Sequence, residues 1–153
     1  MEYTIYLLFY GKRLDIFKKI CSDFDLELLN DTVSIKREVD KDNEEFISVD
    51  KIFEYAKNNN NFYSSIYYAV KNNVDFKFIV LTFTYDNNLI IGFYAPEDSM
   101  TDKKCIDLAN KIYKIYDADG VKILFENLPP SSKNEYDTSE PFLSLEIQKW
   151  IYR

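Results

Sequence analysis

The residues of this chain that could do chemistry are its carboxylates. Seven of them fall in residues 38–54 against two lysines, so this stretch carries −5 of the chain's net charge of −7. Clustered charge creates a local field, whereas scattered charge mainly aids solubility. We therefore expect the cluster to bind a basic partner and to speed its association. Its members are Glu38, Asp40, Asp42, Glu44, Glu45, Asp50 and Glu54.

A smaller acidic stretch follows the two prolines near the C-terminus. Glu135 and Asp137 flank Tyr136 there. Tyrosine is a frequent anchor residue in protein interfaces, so we expect these three residues to contribute to partner binding as well. Trp150 is the other candidate anchor, although a core position is the more common one for such a side chain.

The composition leaves little room for catalysis. The chain has no histidine, which excludes an imidazole general base, a Ser-His pair and the usual histidine-containing zinc sites. Its three glycines cannot build a glycine-rich phosphate loop. Asp75 and Lys77 match an acid-x-Lys fragment of metal-dependent nucleases, but the Pro-Asp pair that accompanies it in those enzymes does not precede them. Acidic residues alternate at 40–44 as in a calcium-binding loop, but the glycine that such a loop needs is missing. We expect no enzymatic activity, no cofactor and no metal.

The charge, the hydropathy and the cysteines also limit which partners and which cellular compartment we expect. An acidic surface repels the phosphate backbone, which argues against nucleic acid as a partner. No stretch approaches the length of a membrane span, and no basic region precedes the apolar run at residues 5–10. Cys21 and Cys105 lack any framework spacing, which suggests buried free thiols in a reducing compartment. We expect a cytoplasmic protein that does not bind membranes.

The hydrophobic pattern predicts the elements that must position the carboxylates. Runs of β-branched and aromatic residues predict strands, and apolar residues at helical spacing predict helices. The strands are expected at 3–10, 26–29, 32–37, 76–84, 89–95 and 121–125. The helices are expected at 12–24, from Ser48 to the Asn58–Asn61 run, over 62–70, and from a cap at Ser99 or Thr101 to a stop at Gly120.

Two turns and three remaining segments complete the expected fold. Turns at 30–31 and 86–88 predict hairpins at about 26–37 and 76–95. Residues 38–47 and 131–141 are polar and are expected to be loops, while 142–152 fits either a helix or a strand, with helix favoured. Hairpins that alternate with helices predict one α+β domain over 1–153, with a mostly antiparallel sheet and helices on one face.

The stretch from Glu38 to Glu45, the aromatic strands and the many residues with AT-rich codons give the chain a recognisable character. In that overall character, rather than in a motif, it resembles the immunity proteins of contact-dependent growth inhibition and other polymorphic toxin systems of bacteria. The resemblance implies a cytoplasmic protein that binds one cognate toxin, often a basic nuclease, and covers its active site or an exosite. A phage-type antirestriction protein is the alternative, and a small enzyme of an unrecognised class is a further one.

Overall fold

The computed structural model describes residues 2–96, 100–125 and 129–139. Within these ranges the chain forms eight strands in one sheet and four α-helices. The strands are β1 (Glu2–Phe9), β2 (Asp25–Leu28), β3 (Thr32–Arg37), β4 (Asp40–Ser48), β5 (Phe62–Lys71), β6 (Phe78–Phe83), β7 (Leu89–Pro96) and β8 (Gly120–Phe125). The helices are α1 (Leu14–Asp23), α2 (Ile52–Asn58), α3 (Asp102–Ile115) and α4 (Lys133–Thr138), and a 3₁₀ turn at Val49–Lys51 precedes α2.

The sheet is antiparallel at every pairing of these strands, which confirms the predicted α+β class. Its strand order is β4-β3-β5-β6-β7-β1-β8, with β2 also beside β5. The hairpin predicted at 76–95 is confirmed, because β6 and β7 pair from Phe78 with Tyr94 to Phe83 with Leu89. Among the described strands, the acidic strand β4 therefore lies at one edge of the sheet and β8 at the other.

Alternation along the central strands divides the core into two layers. Successive side chains of a strand point to opposite faces, so Ile5, Leu7 and Phe9 of β1 face one layer while Tyr6 and Leu8 face the other. The first layer packs against α1, α2 and α3, as predicted. The fourth helix lies on the opposite face, so the prediction that all helices share one face is wrong for α4.

The predicted hairpin at 26–37 is wrong, although both of its strands form. β2 pairs with residues 68–71 of β5, and the end of β3 pairs with residues 62–63 of the same strand. Because β5 has ten residues, one edge of it accommodates both short strands one after the other. The pairing of β2 with β5 is followed by one more hydrogen bond, in which the Leu29 amide donates to the Tyr67 carbonyl at 3.1 Å.

Two stretches have a different secondary structure from the predicted one. Residues 62–70, predicted as a helix, form β5. The prediction failed because Phe62, Ile66 and Val70 are four residues apart, a spacing that fits both the helical period and the two-residue period of a strand. Residues 38–47, predicted as a loop, contain most of β4. That edge strand shows no apolar alternation because its side chains from residue 40 to 46 are all exposed.

The helix ends also differ in detail from the prediction. The Thr101 side chain caps α3 by accepting from the Lys104 amide at 3.2 Å. The helix ends at Ile115, and Asp117 adopts the left-handed conformation with φ 53°, while Gly120 begins β8 instead of stopping α3. The loop predicted at 131–141 contains α4, and the segment 142–152 lies outside the described residues.

Candidate partner-binding surface

The central acidic residues lie on a hairpin made of β3 and β4, which we call the acidic hairpin (residues 32–48). Its pairing runs from Thr32 with Ser48 to Lys36 with Glu44. The register then shifts, so that Arg37 pairs with Asp40. This irregularity leaves residues 41–43 of β4 without a paired residue on β3, and such a bulge bends and twists an edge strand.

Cations of β3 neutralise part of the acidic charge. The Lys36 Nζ lies 2.9 Å from the Glu44 Oε1, and the Arg37 guanidinium pairs with the Glu45 carboxylate. In each pair the hydrogen bond from the cation, and then its charge, hold the pKa of the carboxyl below its ordinary value. Residues 38–54 carry a net charge of −5, and residues 32–37 add Lys36 and Arg37 but no acid. Residues 32–54 together therefore carry a net charge of only −3.

The predicted carboxylates do not form one continuous patch. Glu44 pairs with Lys36, which also pairs with Tyr63 of β5, so these three residues share the face of the sheet that α4 also covers. Glu45 points to the opposite face, where its partner Arg37 lies 5.8 Å from the centre of the Tyr55 ring of α2. Asp50 and Glu54 lie on the 3₁₀ turn and on α2, at this second face.

The acidic hairpin exposes acidic and apolar side chains along its length. Glu38, Asp40 and Asp42 are exposed there, and the Asp40 carboxylate accepts a hydrogen bond from the Asn43 side chain. Val39, between two of these acids, is 98% exposed, and Phe46 further along β4 is 70% exposed. We call residues 38–42 the hairpin tip. The carboxylates and Val39 at the tip, with Phe46 further along β4, offer charged and apolar groups to a partner that carries basic and apolar groups.

The second acidic stretch has a structural role that its sequence did not indicate. Tyr136 is fully buried against Tyr6 and Leu8, so its ring is not available at the surface as an anchor. The Glu135 carboxylate accepts hydrogen bonds from the amide and the hydroxyl of Ser131, and Asp137 pairs with Lys133. The three predicted residues therefore stabilise and dock α4.

A buried lysine holds the C-terminal end of α4 against the sheet. The Lys122 ammonium group of β8 donates to the carbonyls of Tyr136, Asp137 and Ser139 at 2.6–2.9 Å. These carbonyls lie at the end of the helix, where the macrodipole favours a cation. The Lys122 side chain thus satisfies helix carbonyls instead of forming part of a site for a ligand.

Contacts through Tyr85 place the hairpin tip and the N-terminus of α4 at the same end of the sheet. The Lys41 Nζ lies 4.9 Å from the centre of the Tyr85 ring, and the Tyr85 amide donates to the Ser131 carbonyl at 2.9 Å. Tyr85 in turn packs against Tyr63, with ring centres 5.7 Å apart. Sequence reasoning did not select Val39, Phe46, Tyr63 or Tyr85. Phe46 and Tyr63 could have been found only once 38–47 and 62–70 were recognised as strands.

The described residues contain no group of three or more His, Cys, Asp or Glu side chains that could hold a metal ion. None of the helices in the described ranges is long and apolar enough to cross a membrane. Comparisons of the chain with protein-family models, curated proteins and solved structures find no match. The function therefore has to be inferred from the chemistry of the surface itself.

Proposed function

We propose that this protein is an inhibitor that binds a basic protein toxin, as the immunity proteins of polymorphic toxin systems do. The observation that supports the proposal is the acidic hairpin, where Val39 is exposed among the three carboxylates of the tip and Phe46 is exposed further along β4. Carboxylates attract a basic surface and speed its association. Apolar side chains contribute binding energy once water is excluded around them.

Within the proposed interface, Glu38, Asp40 and Asp42 of the tip supply the charge. Glu44 and Glu45 contribute less, because each already has a cation 2.9 Å away or closer. Phe46 and Val39 supply the apolar contact. Such a surface fits a toxin whose nucleic-acid-binding cleft is lined by Lys and Arg, since carboxylates can take the place of phosphates there.

Protection of the sheet edge is the competing explanation for the charges. Natural proteins place charged residues on edge strands to prevent pairing with other chains, and β4 is an edge strand of the described sheet. This need explains Lys41 and Asp42. It does not explain why Phe46 is 70% exposed on the same strand, because an exposed aromatic side chain makes an edge more prone to association.

The experiment that tests the proposal uses the toxin domain encoded directly upstream of this chain's own gene. Cells that produce the domain alone should die, and cells that also produce this protein should survive. Purified protein should bind the purified domain with a 1:1 end point in titration calorimetry. Absence of a toxin gene at that position, or cell death in spite of co-production, would contradict the proposal.

A further inference from the structure

A cavity of about 410 Å³ lies between α1, α2 and β5, on the opposite face of the sheet from α4. It is separate from the hairpin tip, and none of the residues that line it belongs to the proposed toxin interface. Its volume lies within the range of small-molecule sites, roughly 300–1,000 Å³. The lining residues are Leu14, Phe17, Lys18, Cys21, Phe53, Lys57 and Tyr68.

The helical repeat explains how the sequence builds this cavity. Leu14, Phe17, Lys18 and Cys21 are spaced at i, i+3, i+4 and i+7, so they lie on one face of α1. Phe53 and Lys57 share one face of α2 in the same way, and Tyr68 rises from β5. The two helices thus face each other across an opening above the sheet.

The walls of the cavity are aromatic and its rim is basic. The Phe17 ring lies 5.8 Å from the Phe53 ring and 5.4 Å from the Tyr68 ring, centre to centre. Lys18 and Lys57 are exposed, and Lys57 is 3.8 Å from Glu54, an exposed pair that a ligand can readily replace. No carboxylate of the described residues lines the cavity, although the whole chain has 26 acidic residues and 19 basic ones.

We propose that this cavity binds a small amphipathic acid. The apolar part of the ligand lies against Phe17, Phe53 and Tyr68, and its carboxylate lies at the rim between Lys18 and Lys57. Burial, and then the nearby Cys21, raise the pKa of Tyr68, so the phenol keeps its proton and can donate a hydrogen bond to the ligand. The two cations at the rim select an anion over a neutral or cationic compound with the same chain.

The expectation of two buried thiols is wrong for Cys21, which is exposed and lines the cavity, whereas Cys105 is buried. Cys21 therefore provides the readout for a test, and Cys105 serves as an internal control. Intact protein would be alkylated with N-ethylmaleimide at fixed pH and followed by mass spectrometry. Decanoate, kept below its micelle concentration, should slow the alkylation of Cys21 saturably. Decyltrimethylammonium at the same concentrations should not.

Paired charge variants test the selection of an anion. The variant Lys18→Gln/Lys57→Gln should bind decanoate about tenfold less tightly. The matched control Lys103→Gln/Lys111→Gln alters two exposed lysines of α3 and should bind as the unaltered protein does. A further variant, Cys21→Phe, fills the opening and should abolish decanoate binding in titration calorimetry.

Three results would overturn the proposal. They are an alkylation rate of Cys21 that decanoate does not change, equal protection by the cationic amphiphile, and an equal loss of binding in the α3 control. The proposal does not depend on the toxin, because each of these measurements uses the isolated protein.

Discussion

Across the acidic hairpin, the Nζ of Lys36 lies 2.9 Å from the Oε1 of Glu44. The same lysine also pairs with Tyr63 on the next strand, so one row of residues crosses β4, β3 and β5 on a single face. The Glu44 carboxylate is therefore already paired within the acidic hairpin when no partner is bound. The carboxylates of the tip, Glu38, Asp40 and Asp42, are the ones we expect a basic partner to meet.

The first prediction concerns the pKa of Glu44. The hydrogen bond and charge of Lys36 lower it from its ordinary 4.5, so the pair stabilises the folded state above that pH and this contribution is lost as the pH falls through the lowered pKa. Replacing Lys36 with Gln should move the pKa of Glu44 upward in an NMR titration. Glu45 is the internal control, because its partner Arg37 is retained. An unchanged pKa of Glu44 would show that the pair does not form in solution.

The second prediction concerns Phe46. Because this side chain is 70% exposed, Phe46→Ser should change the free energy of unfolding by no more than about 0.5 kcal/mol. It should weaken binding of the neighbouring toxin domain about tenfold, since exposed aromatic side chains are frequent anchors.

The control for Phe46 is its neighbour Ile47, which packs against the core. Ile47→Ser should destabilise the fold in denaturant unfolding because it places a hydroxyl among apolar side chains. If Phe46→Ser were the more destabilising of the two, or left toxin affinity unchanged, the proposed role of Phe46 would be wrong.

The third prediction concerns the attachment of α4. Lys122→Met leaves three helix carbonyls without their donor and should cost about 1–3 kcal/mol in the free energy of unfolding. Hydrogen exchange should accelerate at the amides of residues 133–139. Lys103→Met, on the exposed surface of α3, is the matched control and should have neither effect.

The fourth prediction separates a core role from a binding role for Tyr136. Because the ring is fully buried, Tyr136→Ala should destabilise the protein by about 3–5 kcal/mol. The fraction that stays folded should bind the toxin domain with unchanged affinity. A stable variant that had lost toxin binding would show that Tyr136 contributes to the toxin interface instead of the core.

The parts of the fold that the sequence predicted are those whose hydrophobic pattern fits only one kind of element. The β6–β7 hairpin is apolar on both faces and punctuated by a turn at 86–88, so its prediction is confirmed. The helix α1 has one apolar face with Ile16, Phe17 and Ile20 buried, and it is confirmed too.

The elements that were missed are those whose pattern is ambiguous or absent. In β5, apolar residues four apart fit both periods, and the fully buried Ser64 next to the only partly buried Tyr63 runs against hydropathy, so the sequence does not decide between a helix and a strand. In β4, exposure on both faces removes the alternation altogether, so only the pairing with β3 reveals the strand.

The same limit applies to the candidate site. Charge counting located the acidic stretch, but a linear window cannot include Lys36 and Arg37, which neutralise it from the neighbouring strand. It also cannot separate Glu44 from Glu45, which point to opposite faces because they are adjacent on a strand. Conversely, the burial of Tyr136 depends on contacts with Tyr6 and Leu8, which are distant in the sequence.

The most direct test of the proposed function is charge reversal at the hairpin tip. Glu38→Lys/Asp42→Lys and the control Asp25→Lys/Asp107→Lys change the net charge equally and alter only exposed residues. In titration calorimetry with the neighbouring toxin domain, the tip variant should bind at least about tenfold more weakly at low salt, with a smaller loss at high salt, and the control should bind normally. Equal affinities for both variants would contradict the placement of the toxin at the acidic hairpin.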